Sequence, residues 1–281
     1  MKAIIVPKSY NYIGVFLTFA CNMRCDYCIN NYNGKPQYKS LHSDAWIRGL
    51  NRIATREDLP LTIQGGEPTV HPEFYSIING IRADTNIDIL TNGEFDIYTF
   101  MKQLPAKRLK RDAKYASIRF SYHPGYTDWY MLLRKASHMQ DNGYSVGMWV
   151  VNHPSIAKAL PALIGEAKGQ GVDLRIKEFL GRINKRLYGT YKYKHAVSSK
   201  AHKVLCKPSE LLIAPNGDIH RCHYYLYSNK ETLGNILDDI YVPLDEHKVC
   251  NYCGLCNLCD IKLKYNRFQE RGHCSVYIKE K

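Results

Sequence analysis

At 281 residues the chain is long enough to bury a sizeable core in one large domain with a small appendage. No stretch of about eighteen uncharged apolar residues occurs, and the apolar run in residues 1–7 is too short for a secretory signal, so no membrane partner is expected and the expected location is cytoplasmic. The formal charge of +13, from 39 Lys and Arg against 26 Asp and Glu, excludes an acidic chain and suits a polyanionic partner. Basic side chains that only solvate a surface give the same charge, so nucleic acid is admitted without being favoured. Ten cysteines in a cytosolic chain argue for metal or redox chemistry rather than disulfides.

The first predicted element is a buried strand over residues 12–20, which feeds the loop carrying Cys21, Cys25 and Cys28. Three thiolates at x3 and x2 spacing can hold three irons of a [4Fe–4S] cube and leave the fourth open. The same residues admit a zinc site, for which His42 is the nearest fourth ligand. A polar connection over 30–40 precedes a helix over 43–53 with a Ser43 cap. A second strand over 59–63 runs into Gln64, Gly65, Gly66, Glu67 and Pro68, followed by a helix over 72–81. Strand 87–93, helix 95–104, strand 116–121 and the amphipathic helix 127–139 come next. The basic cluster at 107–111 reads as a charged surface loop. Strand 145–151, a helix over 155–168 and strand 172–180 complete six alternations. Such alternation indicates parallel strands under outer helices, two units short of a complete TIM barrel.

Beyond Gly181 the pattern changes. Residues 182–205 are basic and rich in tyrosine, including Arg186, Tyr188, Tyr191, Lys192, Tyr193 and Lys194. Such interleaving can bind phosphate or stack on bases, but it reads better as a solvated linker with tyrosines on the barrel rim. Cys206, Gly217 and Cys222 then bracket a predicted hairpin turning at Asn216 and Gly217. Cys250, Cys253, Cys256 and Cys259 follow at x2 intervals, with Cys274 last; a zinc ribbon is one reading of these pairs.

The C-x3-C-x-aromatic-C loop after the first strand, with Tyr27 as the aromatic, and the Gly65-Gly66-Glu67-Pro68 segment after the second together resemble the radical S-adenosylmethionine (SAM) enzymes. The resemblance implies an α/β fold: a partial (β/α)6 TIM-like barrel over residues 1–181, a basic linker over 182–205 and a small cysteine-rich iron–sulfur domain over 206–281. It implies that SAM chelates the open iron of the Cys21/Cys25/Cys28 cluster and is cleaved reductively. The resulting 5′-deoxyadenosyl radical would take a hydrogen atom from an unactivated C–H bond. Gly65 and Gly66 would let the backbone approach the methionyl amine, Glu67 would pair with that amine, and Pro68 would hold the turn. Asn92, Ser121 and Asn152 occupy family-like positions for SAM, though each could instead cap a turn. An external ferredoxin or flavodoxin would supply the electron.

The C-terminal cysteines are similar to the SPASM or shortened twitch extension, whose opening C-x9–15-G-x4-C is matched by Cys206, Gly217 and Cys222. The later gaps are shorter than that pattern. By order along the chain, the resemblance implies Cys206, Cys222 and Cys259 on one auxiliary [4Fe–4S] cluster. Cys250, Cys253, Cys256 and Cys274 would hold a second; the twitch count is a single cluster. His123, His153, His220 and His223 are candidate bases. Lys177 would matter only if it points into the barrel. No single catalytic residue is assigned.

The expected reaction is modification of a peptide or protein side chain by crosslinking, oxidation or epimerisation. An oxidoreductase acting on a small hydroxylated metabolite, such as a sugar or aminocyclitol, is the alternative, and an RNA-modifying enzyme the third. With the barrel starting near residue 12, no N-terminal peptide-recognition domain is expected, and leader binding would fall to another protein.

Overall fold

The computed structural model describes residues 2–31, 38–56, 59–266 and 269–279; most of the expected 30–40 connection lies outside them. Six parallel strands form the barrel wall: β1 (Tyr12–Thr18), β2 (Leu61–Gly65), β3 (Ile87–Thr91), β4 (Ile118–Tyr122), β5 (Val146–Asn152) and β6 (Leu174–Glu178). Each pairs with the next in register, as in Ile63 beside Ile89 and Ile89 beside Ile118. The connecting helices α1 (Ser43–Leu50), α2 (Phe74–Gly80), α3 (Ile97–Gln103), α4 (Trp129–Asp141) and α5 (Leu160–Gly169) supply the outer layer. The partial barrel expected from the sequence is therefore the observed fold.

Strand alternation decides what faces where. Ile13, Val15, Leu61, Ile63, Ile89 and Ile118 point outward and pack against Trp46, Phe74, Phe100 and Leu132 of the helices in one core. The alternate positions, among them Gln64, Arg119, Ser121, Trp149 and Lys177, point inward and line a cavity. An apolar outside and a polar inside is the reverse of a sheet that packs its core on the inner face.

Asp88 shares the inward parity and is fully buried. Arg111 holds it at 2.8 Å through Nε and Arg119 at 2.8 Å through Nη2, while both guanidiniums lie over the Tyr115 ring at 4.7 and 5.2 Å. This corrects the reading of 107–111 as a surface loop. Arg111 is drawn inward by the buried carboxylate, and Arg108 donates to the Thr85 and Ile81 carbonyls. Removing one partner of a buried ion pair leaves the other charge stranded, at a cost of about 3–5 kcal/mol. The Asp88→Ala variant is accordingly expected to lose that much unfolding free energy in urea titration, and a loss below about 1 kcal/mol would contradict the pairing.

The first helix ends at Leu50 rather than continuing to 53, because Ile53 and Ala54 pair in parallel with Ile4 and Ile5. The fifth begins at Leu160, after a short 3-10 turn (Pro154–Ile156) capped by His153.

After the barrel strands come a short hairpin of β7 (Gly181–Ile183) and β8 (Arg186–Tyr188) and a 3-10 turn (Lys194–Val197). Tyr191 is 5% exposed and belongs to a second core, so the segment read as a solvated linker is partly packed. Strand β9 (His202–Pro208) passes through Ser209 directly into β10 (Glu210–Ile213), which pairs in parallel with β1 and extends the barrel sheet. The expected hairpin is completed by β11 (Asp218–His220), followed by α6 (His223–Tyr227) and β12 (Gly234–Asn235). A separate small sheet orders β13 (Lys248–Cys253), β9 and β16 (Val276–Lys279). Between its last two strands in sequence lie α7 (Leu258–Ile261) and the pair β14 (Lys264–Tyr265) and β15 (Arg271–His273). The boundary expected at 205/206 thus falls inside β9, a strand whose direct continuation belongs to the barrel sheet.

Candidate active site

The C-terminal ends of the barrel strands open into a cavity of about 860 Å³, within the usual range for ligand pockets. Cys21, Cys25 and Cys28 all line it, on the loop leaving β1. The loop is held by Cys28 N–H donating to Cys25 O at 3.0 Å, by Met23 N–H on Cys21 Sγ at 3.4 Å, and by the Tyr126 hydroxyl on Arg24 O at 2.8 Å. Burial and then the neighbouring Cys28 and Cys21 thiols push Cys25 up to about 11. Three thiols that oppose one another's ionisation are what a cationic iron core would stabilise as thiolates, so these residues fit a three-cysteine cluster. His42, the fourth ligand of the zinc reading, is instead exposed beside Glu73 at 3.5 Å and does not line the cavity.

Gly65, Gly66 and Glu67 line the same cavity. Gly66 N–H donates to Thr18 O at 2.8 Å and Glu67 N–H to Ala20 O at 2.9 Å, so this segment lies against the start of the cysteine loop. A Cβ on Gly65, whose φ is +151°, would meet Thr18 O at 2.1 Å, and one on Gly66 would meet Ala20 O at 2.2 Å. The close approach that requires glycine here is to β1, a partner sequence reasoning did not supply.

Glu67 is 1% exposed and both its oxygens are engaged. Oε1 accepts from Thr69 N–H at 3.1 Å, Thr69 Oγ1 at 2.7 Å and Thr91 Oγ1 at 2.8 Å, and Oε2 from Asn92 N–H at 2.6 Å. Burial raises its carboxyl, and these hydrogen bonds oppose the rise. The side chain clamps the loop after β2 to the tip of β3. Pro68 is buried behind it, opening a single 3-10 turn. Asn92 donates to Asn22 Oδ1 in the cysteine loop at 2.7 Å, and Asn30 donates to Gly65 O.

Asn92 and Ser121 line the cavity; Asn152 is exposed at the end of β5 and does not. Tyr27 lines it too, stacked on His153 at 5.4 Å, its hydroxyl 3.1 Å from His123 Nδ1. Of the four candidate bases, His123 and His223 reach the cavity. His223 Nδ1 is fixed by Asp260 at 3.0 Å, while His220 is buried against the Tyr38 hydroxyl at 3.1 Å and His153 bonds Ser155 at 2.7 Å. Burial, then Lys177, lowers His123 to about 4, and burial lowers His71 as well. Between the ordinary imidazole range near 6.5 and about 4, the unfolded chain therefore binds a proton at His123 that the folded chain refuses, and the lowering of His71 acts in the same direction. Stability should fall as pH drops through that window in denaturation titrations, less steeply in a His123→Asn variant. An unchanged slope would contradict the neutral buried imidazole.

Sequence reasoning left Lys177 conditional on its pointing into the barrel and missed the other cations of the cavity wall, Arg119, Arg175, Lys262 and Lys264. Lys177 points inward and is lowered to about 7 by burial and then by Arg119, Lys262 and Lys264. Lys262 is also lowered by burial, whereas for Lys264 burial is outweighed by Glu210, 2.8 Å away, together with Cys259 and Asp260, which raise it. The signal was available in β4 to β6, where Arg119, Trp149, Arg175 and Lys177 break apolar strands at one parity.

Cys259, in α7, and Cys274 line the cavity. Cys206, Cys222, Cys250 and Cys253 lie in the second core with Cys256 packed against it. Burial raises the Cys206 thiol, followed by the effect of Cys250, and burial raises Cys222, followed by Asp260 and Cys206.

A parallel partial barrel whose strand ends gather three cysteines and a Gly-Gly-Glu-Pro turn is the arrangement that the radical SAM resemblance leads one to expect. Residues 15–118 match the model of the radical SAM superfamily, whose members use a [4Fe–4S] cluster and SAM. It is 31% identical over 78 residues to the sporulation killing factor maturation protein SkfB of Bacillus subtilis (strain 168), covering 27% of this chain and 19% of that protein. Over 110 residues it is 34% identical to the mitochondrial GTP 3′,8-cyclase of Arabidopsis thaliana, covering 37% of this chain and 26% of that one. The matches therefore span about a fifth to a quarter of those relatives' lengths. Among solved structures, native anSMEcpe with bound AdoMet and Kp18Cys peptide shares the fold at a TM-score of 0.59 and 15% identity, over 81% of this chain and 77% of that one. Seven further cysteines beyond the barrel are present for auxiliary clusters, and no helix among the described residues is long and apolar enough to cross a membrane.

Proposed function

We propose that this chain abstracts a hydrogen atom from a peptide or protein side chain, ending in a crosslink, an oxidation or an epimerised centre. The observation that carries the reading is a single cavity walled both by the cysteine loop of the barrel and by Cys259, Lys262 and Lys264 of the C-terminal region. The likeness to SkfB, and a fold shared with an enzyme solved with a peptide bound, favour a peptide over other substrates.

The bound cluster and SAM supply the carbon radical. The chain's own residues do the rest. Cys21, Cys25 and Cys28 hold the cluster, while Glu67, through Asn92 and the Gly65–Gly66 backbone, fixes the SAM side of the cavity. Asn92 and Ser121 are placed to contact SAM. His123 lines the cavity beside the Tyr27 hydroxyl, and burial with Lys177 keeps it neutral, so it serves as a hydrogen-bonding wall group rather than a strong base. One or two auxiliary clusters on the C-terminal cysteines would accept an electron or bind substrate, and an external ferredoxin or flavodoxin would reduce the radical cluster.

Lys177 and Lys262 line the wall with their ammonium groups lowered by burial, and a carboxylate on the reacting peptide segment would hold both in the charged form. Lys177→Met is expected to raise KM for such a peptide by roughly thirtyfold, about 2 kcal/mol, with little change in kcat. An unchanged KM would remove the lysine from substrate binding. The same wall supports a second reading, an anionic small metabolite. Anaerobic protein with SAM and dithionite discriminates them: 5′-deoxyadenosine formation stimulated by an acidic peptide, with loss of two hydrogens or inversion in that peptide, supports the first. Stimulation only by a nucleotide, a sugar derivative or tRNA would overturn it.

A further inference from the structure

Outside the cavity, the C-terminal region gathers a second set of metal-binding side chains. The ligand atoms of His195, His202 and Cys253 all lie within 4.8 Å of one another. His202, at the start of β9, is paired directly opposite Cys253 at the end of β13, and His195 stands on the 3-10 turn preceding β9. Cys256 completes a C-x2-C pair, its thiol hydrogen-bonded with that of Cys253. We propose that His195, His202, Cys253 and Cys256 form a mononuclear zinc site that fastens the loop 253–256 to the turn 194–199.

The backbone is already shaped for it. Gly254 and Cys256 both donate N–H to Ala196 O at 3.0 Å, and Ser199 N–H donates to Gly254 O at 2.9 Å. Gly254 has a φ of +104°, and a Cβ there would meet Lys200 O at 2.0 Å, so the loop closes this tightly only with glycine. None of the four side chains lines the cavity.

Ligand spacing separates one ion from a cluster. Bonds of about 2.3 Å to sulfur and 2.0–2.1 Å to nitrogen give a tetrahedron with edges of roughly 3.3–3.8 Å, which His195, His202 and Cys253, within 4.8 Å of one another, reach by small rotations, Cys256 joining them by turning its thiol from beside Cys253. A cubane binds each ligand to a different iron and so needs its donors farther apart. Two imidazoles and two thiolates are also a structural zinc set, whereas four-iron clusters favour thiolates throughout. The assignment takes Cys253 and Cys256 from the auxiliary set that chain order implies and leaves Cys206, Cys222 and Cys250 together in the second core. It does not depend on the substrate proposed above.

The test is zinc, iron and sulfide content of the full chain purified anaerobically, as wild type and as His195→Ala/His202→Ala. About one zinc per wild-type chain, lost in the variant with iron and sulfide unchanged, is the expected result. No zinc in the wild type, zinc retained in the variant, or about four irons lost in its place would overturn the site. Should the double alanine variant fail to fold, His195→Cys/His202→Cys restores a four-ligand zinc set and is expected to fold with the zinc bound. That variant folding without zinc would equally overturn the proposal. Iron at Cys21, Cys25 and Cys28 is counted in the same samples, so failure here leaves the radical cluster's own result intact.

Discussion

The C21A/C25A/C28A variant is expected to lose about four irons per chain and its entire capacity to form 5′-deoxyadenosine, a fall of at least about 10³-fold. The three thiols are the only cysteines on the loop after β1, and all three border the cavity. The seven remaining cysteines lie between 206 and 274. Their iron should therefore stay in place, and the variant should unfold at nearly the wild-type denaturant concentration. Substantial SAM cleavage in the triple variant would place the reactive cluster elsewhere.

Glu67→Gln is expected to have the next largest effect, although the substitution is nearly isosteric. The carboxylate accepts from two backbone N–H groups that cannot reverse, Thr69 on one oxygen and Asn92 on the other. An amide presents one oxygen and one NH2, so whichever way it turns, a buried N–H faces a donor. An unsatisfied buried group costs about 1–3 kcal/mol, and loss of the charge-assisted bonds adds to it. We expect about 2–4 kcal/mol of lost stability. SAM cleavage should fall by about tenfold or more, because small displacements of a positioning group are amplified in rate. The readout that separates this role from contact with the amine is hydrogen exchange at Asn92 N–H, which should rise sharply in the variant. Full stability and protection with SAM binding alone impaired would instead make Glu67 a direct ligand of the cosubstrate.

Much of this architecture was legible in the chain because its signals are local. Each barrel strand is an apolar run bounded by a turn, and β3, β4 and β5 fall within two residues of their expected limits. The cysteine loop and the Gly-Gly-Glu-Pro turn were readable because both follow strands directly. What sequence left open depends on partners distant along the chain. Glu210–Ile213 shows its hairpin partner nearby, but its parallel pairing with Tyr12–Val15 leaves no local trace. Arg111 looked like surface until Asp88 stood opposite it. Gly65 and Gly66 were rightly singled out, yet the backbone they approach is that of Thr18 and Ala20. The C-terminal cysteines were ordered by family spacing, and which of them border the cavity depends on how distant segments pack. Cys259 faces the cavity and Cys253 faces two histidines.

The measurement that tests the central claim most directly is electron paramagnetic resonance of the dithionite-reduced wild-type protein, recorded before and after SAM is added, with the products counted in the same tube. A reduced four-iron signal that changes on SAM addition, followed by equal amounts of methionine and 5′-deoxyadenosine, is what a three-cysteine cluster with an open iron predicts. A protein that carries zinc alone, or a cluster signal that ignores SAM and leaves it whole, would contradict it.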